Sequence, residues 1–462
     1  MQRRPNILQI LVDDLGYGDF SCFNGGLSET PALDELIRES VCLDQHYTSS
    51  PVCNPSRASL LTGRYPQRTG SIDTLEWRGL ERLDLNEVTL ADILSKAGYR
   101  TGLIGKWHLG AFDTRYKPEN RGFNEGIYFR GGMHDYYDWR LESGERVVRT
   151  DGRYLTEYWT DESIEFLKRN RTEPFYLHLT YNAPHTPLQA PAEDMAAFAD
   201  REDINDAVKT LYAMIRNLDR NIGRLLEQLE KLGLRDNTLV IFSSDNGPQF
   251  GSDEGGSLDR FNCNLHGSKG TTYDGGIRVP AIIRWPDGLD PQTADSNGFF
   301  HMCDWLPTIL SFAGIDTPKD LKLDGVDQAS VLRGETPAYN PLRCWQWNRY
   351  EPLLEYNAAI RDGDWKLVRP YVPEAFAVPD IKWLHTSMYE PEYFIQNGII
   401  TEPAPEVDLP APKPLELYNL REDPLEQNNL AETESSRVQR MEAELNKWFQ
   451  DVCSDLANTQ RH

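Results

Sequence analysis

No stretch of this chain approaches the ~20 consecutive apolar residues that a membrane-crossing helix needs, so no span and no membrane partner are expected. There is no CxxC pair and no zinc-ligand spacing either. The seven cysteines, at 22, 42, 53, 263, 303, 344 and 453, are scattered, which reads as free thiols rather than a disulfide framework. Basic residues are scarce, 48 Lys and Arg against 72 Asp and Glu, for a net charge of −24. Such an acidic chain repels phosphate backbones, which argues against a nucleic-acid partner. Internal repeats are missing too. The N-terminus lacks the layout of a signal peptide: Pro5-Asn6 leads into a short apolar run that ends in Asp13 and reads as a strand. A cytoplasmic location is expected for the chain as written, and a periplasmic or secreted one if a leader has been removed.

What is present is a globular composition, 39% hydrophobic and 26% charged over 462 residues, ample for a large core. The first two thirds alternates short apolar runs with helical patterns, the mark of an α/β fold around a largely parallel sheet. Strands are predicted over 7–12, 99–104, 175–180 and 237–243. Helices are predicted over 30–40, 56–62 and 90–97, and a long one carries Leu211, Ile215, Leu218, Ile222, Leu225 and Leu229 and stops at Gly233. The pattern changes after about residue 334. We expect an α/β domain over 1–335 and a smaller α+β subdomain over 336–462, with a small antiparallel sheet and a terminal helix near 432–452.

In open α/β sheets, ligands bind beyond the carboxyl ends of the strands. Four predicted strands end in polar clusters: Asp13-Asp14, Lys106-Trp107-His108, Asn182-Ala183-Pro184-His185 and Ser244-Asp245-Asn246-Gly247. Each alone could be a turn; their joint appearance points to a site. Asp13, Asp14, Asp245 and Asn246 form an all-oxygen ligand set, which suits a hard divalent cation rather than zinc.

The most informative stretch is Cys53-Asn54-Pro55-Ser56-Arg57-Ala58-Ser59-Leu60-Leu61-Thr62-Gly63-Arg64. Pro55 is expected to open a helix at Ser56, leaving Cys53 just before an anion-attracting helix N-terminus. The stretch resembles the signature of the type I, formylglycine-dependent, arylsulfatase-like sulfatases. Ser268-Lys269-Gly270-Thr271-Thr272-Tyr273-Asp274-Gly275-Gly276 resembles their second signature, with Asp274 where the family usually has Glu. Residues 359–368 and 417–424 resemble their C-terminal subdomain.

The resemblance implies an alkaline-phosphatase-like fold, a mostly parallel sheet sandwiched by helices. It also implies that a maturation enzyme oxidises Cys53 to formylglycine. The cation would then be Ca²⁺, with Mg²⁺ as the other option, held by Asp13, Asp14, Asp245, Asn246 and the Cys53-derived group. One hydroxyl of the aldehyde hydrate would attack sulfur in line with the departing alcohol, with Asp245 assisting its deprotonation. Arg57 would hold the modified side chain, and Lys106 and Lys269 would stabilise charge on the sulfate oxygens. His185 or Lys269 would protonate the departing oxygen. His108 would take the proton of the second hydroxyl, releasing sulfate and restoring the aldehyde.

The expected substrate is a sulfated saccharide, because the C-terminal region is rich in aromatic residues on which sugar faces stack. His134, Arg140, Trp345 and His385 are the candidate sugar contacts. Two other readings stand beside this one: a phosphonate monoester or phosphodiester hydrolase of the same superfamily, and a non-catalytic sulfoglycan-binding protein with Cys53 unmodified.

Overall fold

The computed structural model describes residues 4–253, 256–296 and 298–459. Its main sheet contains β1 (Asn6–Val12), β2 (Val41–Cys42), β3 (Arg100–Lys106), β4 (Glu125–Phe129), β5 (Arg140–Ser143), β6 (Arg146–Arg149), β7 (Phe175–Thr180), β8 (Thr238–Ser244) and β9 (Ala281–Arg284). The spatial order is β2-β9-β8-β1-β7-β3-β4-β5-β6. The five strands from β8 to β4 run parallel, and antiparallel strands close both edges.

The central strands are apolar on both faces because both faces are covered. Alternation along β1 divides the core in two. Leu8, Ile10 and Val12 pack under the helices Leu155–Asn170 and Asp206–Lys231, while Ile7 and Leu11 face the helices Leu90–Lys96 and Trp305–Phe312. The long helix starts where the Asn205 side chain accepts the Val208 N–H at 3.0 Å. Its Leu211, Ile215, Leu218, Ile222, Leu225 and Leu229 are all buried, each contributing roughly 1.5–3 kcal/mol.

A second sheet, β10 (Arg343–Gln346), β11 (Ala358–Asp362), β12 (Trp365–Arg369) and β13 (Glu416–Asn419), is antiparallel in chain order. The terminal helix Ser435–Leu456 lays Met441 and Leu445 on its Ile360, Leu367 and Leu417. Several boundaries differ from expectation: the helix expected over 30–40 spans Pro31–Arg38, and the strand expected over 99–104 runs on to Lys106. The terminal helix begins and ends a few residues later than predicted. The Cys53–Thr62 helix begins earlier, at Cys53 itself, so Pro55 sits inside its first turn, where a missing N–H costs no intrahelical bond.

Candidate active site

Register brings the polar strand ends together. Val12 of β1 pairs with Ser244 of β8, so Asp13 and Asp245 leave the sheet side by side. Gly105 of β3 faces Thr180 of β7 with φ +116°, and a Cβ there would lie 1.9 Å from the Thr180 carbonyl oxygen. Only glycine permits that approach, which carries Lys106 into the centre of the sheet end. Asp14 and His108 adopt left-handed backbone at φ 63° and 55°, a strained conformation for such residues. The Asn54 side-chain amide holds the second of these in place, donating to the His108 carbonyl at 2.7 Å and to the Glu81 carbonyl at 2.8 Å.

Cys53 is the first residue of its helix and Arg57 lies one turn on, on the same face. The Arg57 Nε donates to Asp245 Oδ2 at 2.8 Å. Lys106 Nζ lies 2.5 Å from Asp13 Oδ2, and Lys269 Nζ lies 2.7 Å from Asp14 Oδ1. The Asn246 amide donates to Asp14 Oδ1 at 2.7 Å. Cys53 Sγ and carboxylate oxygens of Asp13 and Asp245 lie within 4.8 Å of one another, as do ligand atoms of Asp13, Asp14 and His185. Every catalytic and cation-binding candidate read from the sequence therefore lies in one buried cluster.

Charge and burial set the protonation states. Burial opposes ionisation of Asp13, but Lys106, His185, Arg57 and Lys269 outweigh it and hold that carboxyl well below the usual range. Asp245 moves the other way, pushed up by burial and by the charge of Asp13. Burial also pushes the Cys53 thiol up, beyond what Lys106 and Lys269 offset. His108 is held well below its ordinary value by burial and by Lys106 and Arg57, and His185 is lowered by burial and by Lys269. Both imidazoles are therefore neutral near pH 7. Neither ring nitrogen of His108 has a hydrogen-bond partner among the described residues. His185 Nδ1 lies 2.7 Å from the Thr186 carbonyl oxygen.

The cluster fits a hard cation. Asp13 Oδ1 and Asn246 Oδ1 are buried acceptors without a hydrogen-bond donor among the described residues. Orphaned acceptors of this kind are costly unless something electropositive meets them. Three carboxylates and an amide oxygen match the oxygen-only preference of Ca²⁺ or Mg²⁺.

Above the cluster opens a cavity of about 360 Å³ with Cys53, His108, His185 and Lys269 at its base. Glu76, Phe250, Trp347, Arg349, Phe376 and Leu384 contribute to its walls. The four candidate sugar contacts fare differently. Trp345 is corrected: it is fully buried among Tyr47, Phe299 and Tyr418, its indole N–H donating to the Thr48 carbonyl at 2.6 Å, and it cannot meet a sugar. His385 is 71% exposed on the helix Trp383–Tyr389, 3.9 Å from Glu390, and lines neither of the two cavities beside that helix. His134 and Arg140 line a neighbouring cavity instead, where the His134 ring rests 3.1 Å from the Arg140 carbonyl oxygen.

Trp347, two residues beyond the misassigned tryptophan, and the isolated acid Glu76 between Leu75 and Trp77 were not singled out as site residues. The charge of Glu76 in an otherwise apolar triplet was the signal that could have found it.

Comparison with known proteins agrees with this geometry. The sulfatase family model matches residues 5–315, and a model of the N-sulphoglucosamine sulphohydrolase C-terminal region matches residues 266–383. The chain is 34% identical to human N-acetylgalactosamine-6-sulfatase over 356 residues, 71% of this chain and 66% of that protein. Mouse arylsulfatase J is 30% identical over 93% of this chain and 73% of its own length. The crystal structure of Ps i-CgsB, also solved in complex with k-i-k-neocarrahexaose, superposes with a TM-score of 0.78 at 30% identity, covering 96% of this chain and 93% of that one. A phosphonate monoester hydrolase from Silicibacter pomeroyi shares the fold, with a TM-score of 0.60 at 21% identity over 99% of this chain and 96% of that one. With a family match spanning well over half its length and the strand-end cluster in place, the chain belongs to the sulfatase family.

Proposed function

We propose that this protein hydrolyses the sulfate monoester of a sulfated saccharide, using Cys53 after its oxidation to formylglycine. The observation that carries the reading is the placement of Cys53 within 4.8 Å of the Asp13 and Asp245 carboxylates, amid Arg57, Lys106 and Lys269. A thiol suits that place poorly. Burial keeps it protonated, so it is a weak nucleophile, and sulfur is a soft ligand beside hard oxygen donors. An oxygen-bearing group at the same Cβ answers both objections.

The cation that Asp13, Asp14, Asp245 and Asn246 would hold supplies Lewis-acid polarisation of a sulfate oxygen when bound. Lys106 and Lys269 add fixed positive charge where the sulfate oxygens gather negative charge, with little reorganisation because both are already ion-paired. His108, neutral and unpartnered, is placed to take the proton whose loss releases sulfate. If neutral His185 donates Nδ1–H to the Thr186 carbonyl, its Nε2 carries no proton, so the departing oxygen is protonated by the imidazolium form or by Lys269. The saccharide is supported by the aromatic cavity wall and by the sugar-directed names of the relatives.

Intact mass and turnover of aryl sulfate and aryl phosphonate, measured on wild type and Cys53→Ser, test the reading. Matured wild type should be lighter by the difference between CH₂–SH and CHO, and should prefer the sulfate. Cys53→Ser should lose at least about 10³-fold in kcat, the scale for loss of a covalent nucleophile. A preference for the phosphonate would favour the diesterase reading. A free thiol with tight sulfoglycan binding and no turnover would favour the binding protein.

A further inference from the structure

The cavity that holds His134 and Arg140 lies against the active-site cavity. It measures about 300 Å³, and both cavities border Met133 in the 131–134 loop. One helix, Trp383–Tyr389, walls both, with Leu384 facing the active site and Ser387, Met388 and Tyr389 facing the second cavity. The two cavities therefore adjoin along that loop and that helix.

The second cavity is basic in a chain that carries 72 acidic residues. Lys117 and Arg130 are spent on Glu142, at 3.3 and 2.8 Å. Arg140 reaches Glu392 at 2.6 Å. Arg146 and Arg149, on edge strand β6, line the cavity, are exposed, and have no acidic side chain within ion-pair distance among the described residues. The acids Asp138 and Glu145 also border the cavity, and Glu145 leans toward Lys117 at 3.8 Å. The register sets Arg149 directly across from Arg140. Like charges opposed on a ladder repel; Glu392 answers Arg140, so Arg149 is the member of the pair with no anion beside it among the described residues. Guanidinium forks are the side chains best shaped to take a sulfate or carboxylate in bidentate fashion.

We propose that this cavity is a distal subsite for a second anionic group of the same saccharide, so that the preferred substrate is a polyanionic oligosaccharide rather than a singly sulfated sugar. The inference rests on the saccharide sulfatase reading above. Arg149, on the same strand face as Arg140, takes the distal sulfate or uronate carboxylate, with Arg146 adding positive charge from the hairpin end of the cavity, while Lys106 and Lys269 hold the sulfate to be cleaved. Local cations also offset the repulsion that the acidic chain exerts on a polyanion, which is screened beyond about 8 Å at physiological salt.

The test compares wild type with Arg146→Ser/Arg149→Ser on four substrates: an aryl sulfate, a singly sulfated neutral hexasaccharide, a multiply sulfated hexasaccharide, and a singly sulfated hexasaccharide with uronates. The ratio of kcat/KM for the polyanionic hexasaccharides over that for the aryl sulfate should fall about tenfold or more in the variant. Whichever of the two polyanions falls further names the distal group. An unchanged ratio would overturn the proposal, as would an equal loss on the neutral hexasaccharide. If wild type releases sulfate from none of the four, the hydrolase reading fails. The subsite is then read by calorimetric titration of Cys53→Ala with the multiply sulfated hexasaccharide, with and without the two arginines. Equal affinities would overturn it there as well.

Discussion

Glu76 Oε1 lies 3.9 Å from His108 Nε2, inside the wall of the active-site cavity. Burial pushes Glu76 up to about 7, opposed by the Gly132 N–H, by Lys106 and by Ser387. The groups acting on His108 from other sides are Lys106, Arg57, Asp13 and His185. Backbone presses from the remaining direction, since a Cβ on Gly132 would lie 2.8 Å from the imidazole. Below pH 7 Glu76 is a neutral acid, nearly isosteric with glutamine. Above it, the carboxylate favours a protonated His108 and so strengthens that histidine as a base. Glu76→Gln should therefore match wild type near pH 5.5 and fall behind by about tenfold in kcat near pH 8, within the span of general-base effects. The pH profile of kcat decides it: parallel profiles would reduce Glu76 to a structural role.

Cation binding should be visible without turnover. Asp13 Oδ1 and Asn246 Oδ1 stand without donors among the described residues, and the three aspartates repel one another except where Lys106, Lys269 and Arg57 intervene. Ca²⁺ at a hundredfold excess over its Kd should stabilise the fold by about 2.7 kcal/mol and raise the melting temperature. Asn246→Ala should shift the Ca²⁺ concentration needed for that rise upward. A wild-type melting temperature indifferent to both Ca²⁺ and chelator would remove the cation from this cluster.

The parts of the molecule that were legible in advance are those where one-dimensional pattern and three-dimensional burial coincide. β1, β7 and β8 are largely apolar on both faces, interrupted only by Gln9 in β1 and His178 in β7, so they read as strands, and the polar clusters that follow them read as turns or a site. The β5–β6 hairpin and the two-residue strand β2 carry no such apolar run, and the sequence pattern predicts neither. Trp345 and Trp347 show the limit for the site. Both are tryptophans in the same segment; the first turns into the core on β10, and the second lies past the strand end and reaches the cavity. Residues two apart share a face while a strand lasts, so it is the strand end after Gln346 that separates them, and composition does not show where that end falls.

Glu81 offers a stability test separate from catalysis. It is fully buried, with Oε1 accepting the Ala111 N–H at 2.8 Å and Oε2 unpartnered among the described residues. Burial pushes it up to about 7, beyond what Arg82 offsets. A carboxyl whose pKa is raised on folding keeps more protons in the native state than in the unfolded one. Its contribution is therefore fully present below the ordinary value of 4.5 and is lost as pH rises through about 7. Glu81→Gln should flatten that decline, gaining roughly 1–3 kcal/mol at pH 8 and little at pH 4. Denaturant melts at the two pH values measure the difference, and an equal change at both would contradict the assignment.

Trp345 and Trp347 should separate stability from binding. Trp345→Phe removes the indole donor from the Thr48 carbonyl and leaves space beside Tyr47, whose ring centroid is 5.7 Å away. It should cost about 2–4 kcal/mol and leave KM for a sulfated sugar alone. Trp347 packs 5.1 Å from the Phe376 ring, and the Arg349 guanidinium lies 5.0 Å over its face, at the cavity wall. Trp347 is itself only 4% exposed, so Trp347→Ala should lower the melting temperature as well, but by opening the cavity wall it should also raise KM for a sulfated saccharide about tenfold with kcat little changed. Aryl sulfate, too small to cover that wall, should feel it less. If Trp345→Phe raised KM while Trp347→Ala only lowered the melting temperature, the two rings would have to exchange roles, and the saccharide would have to lie on a different face of this subdomain.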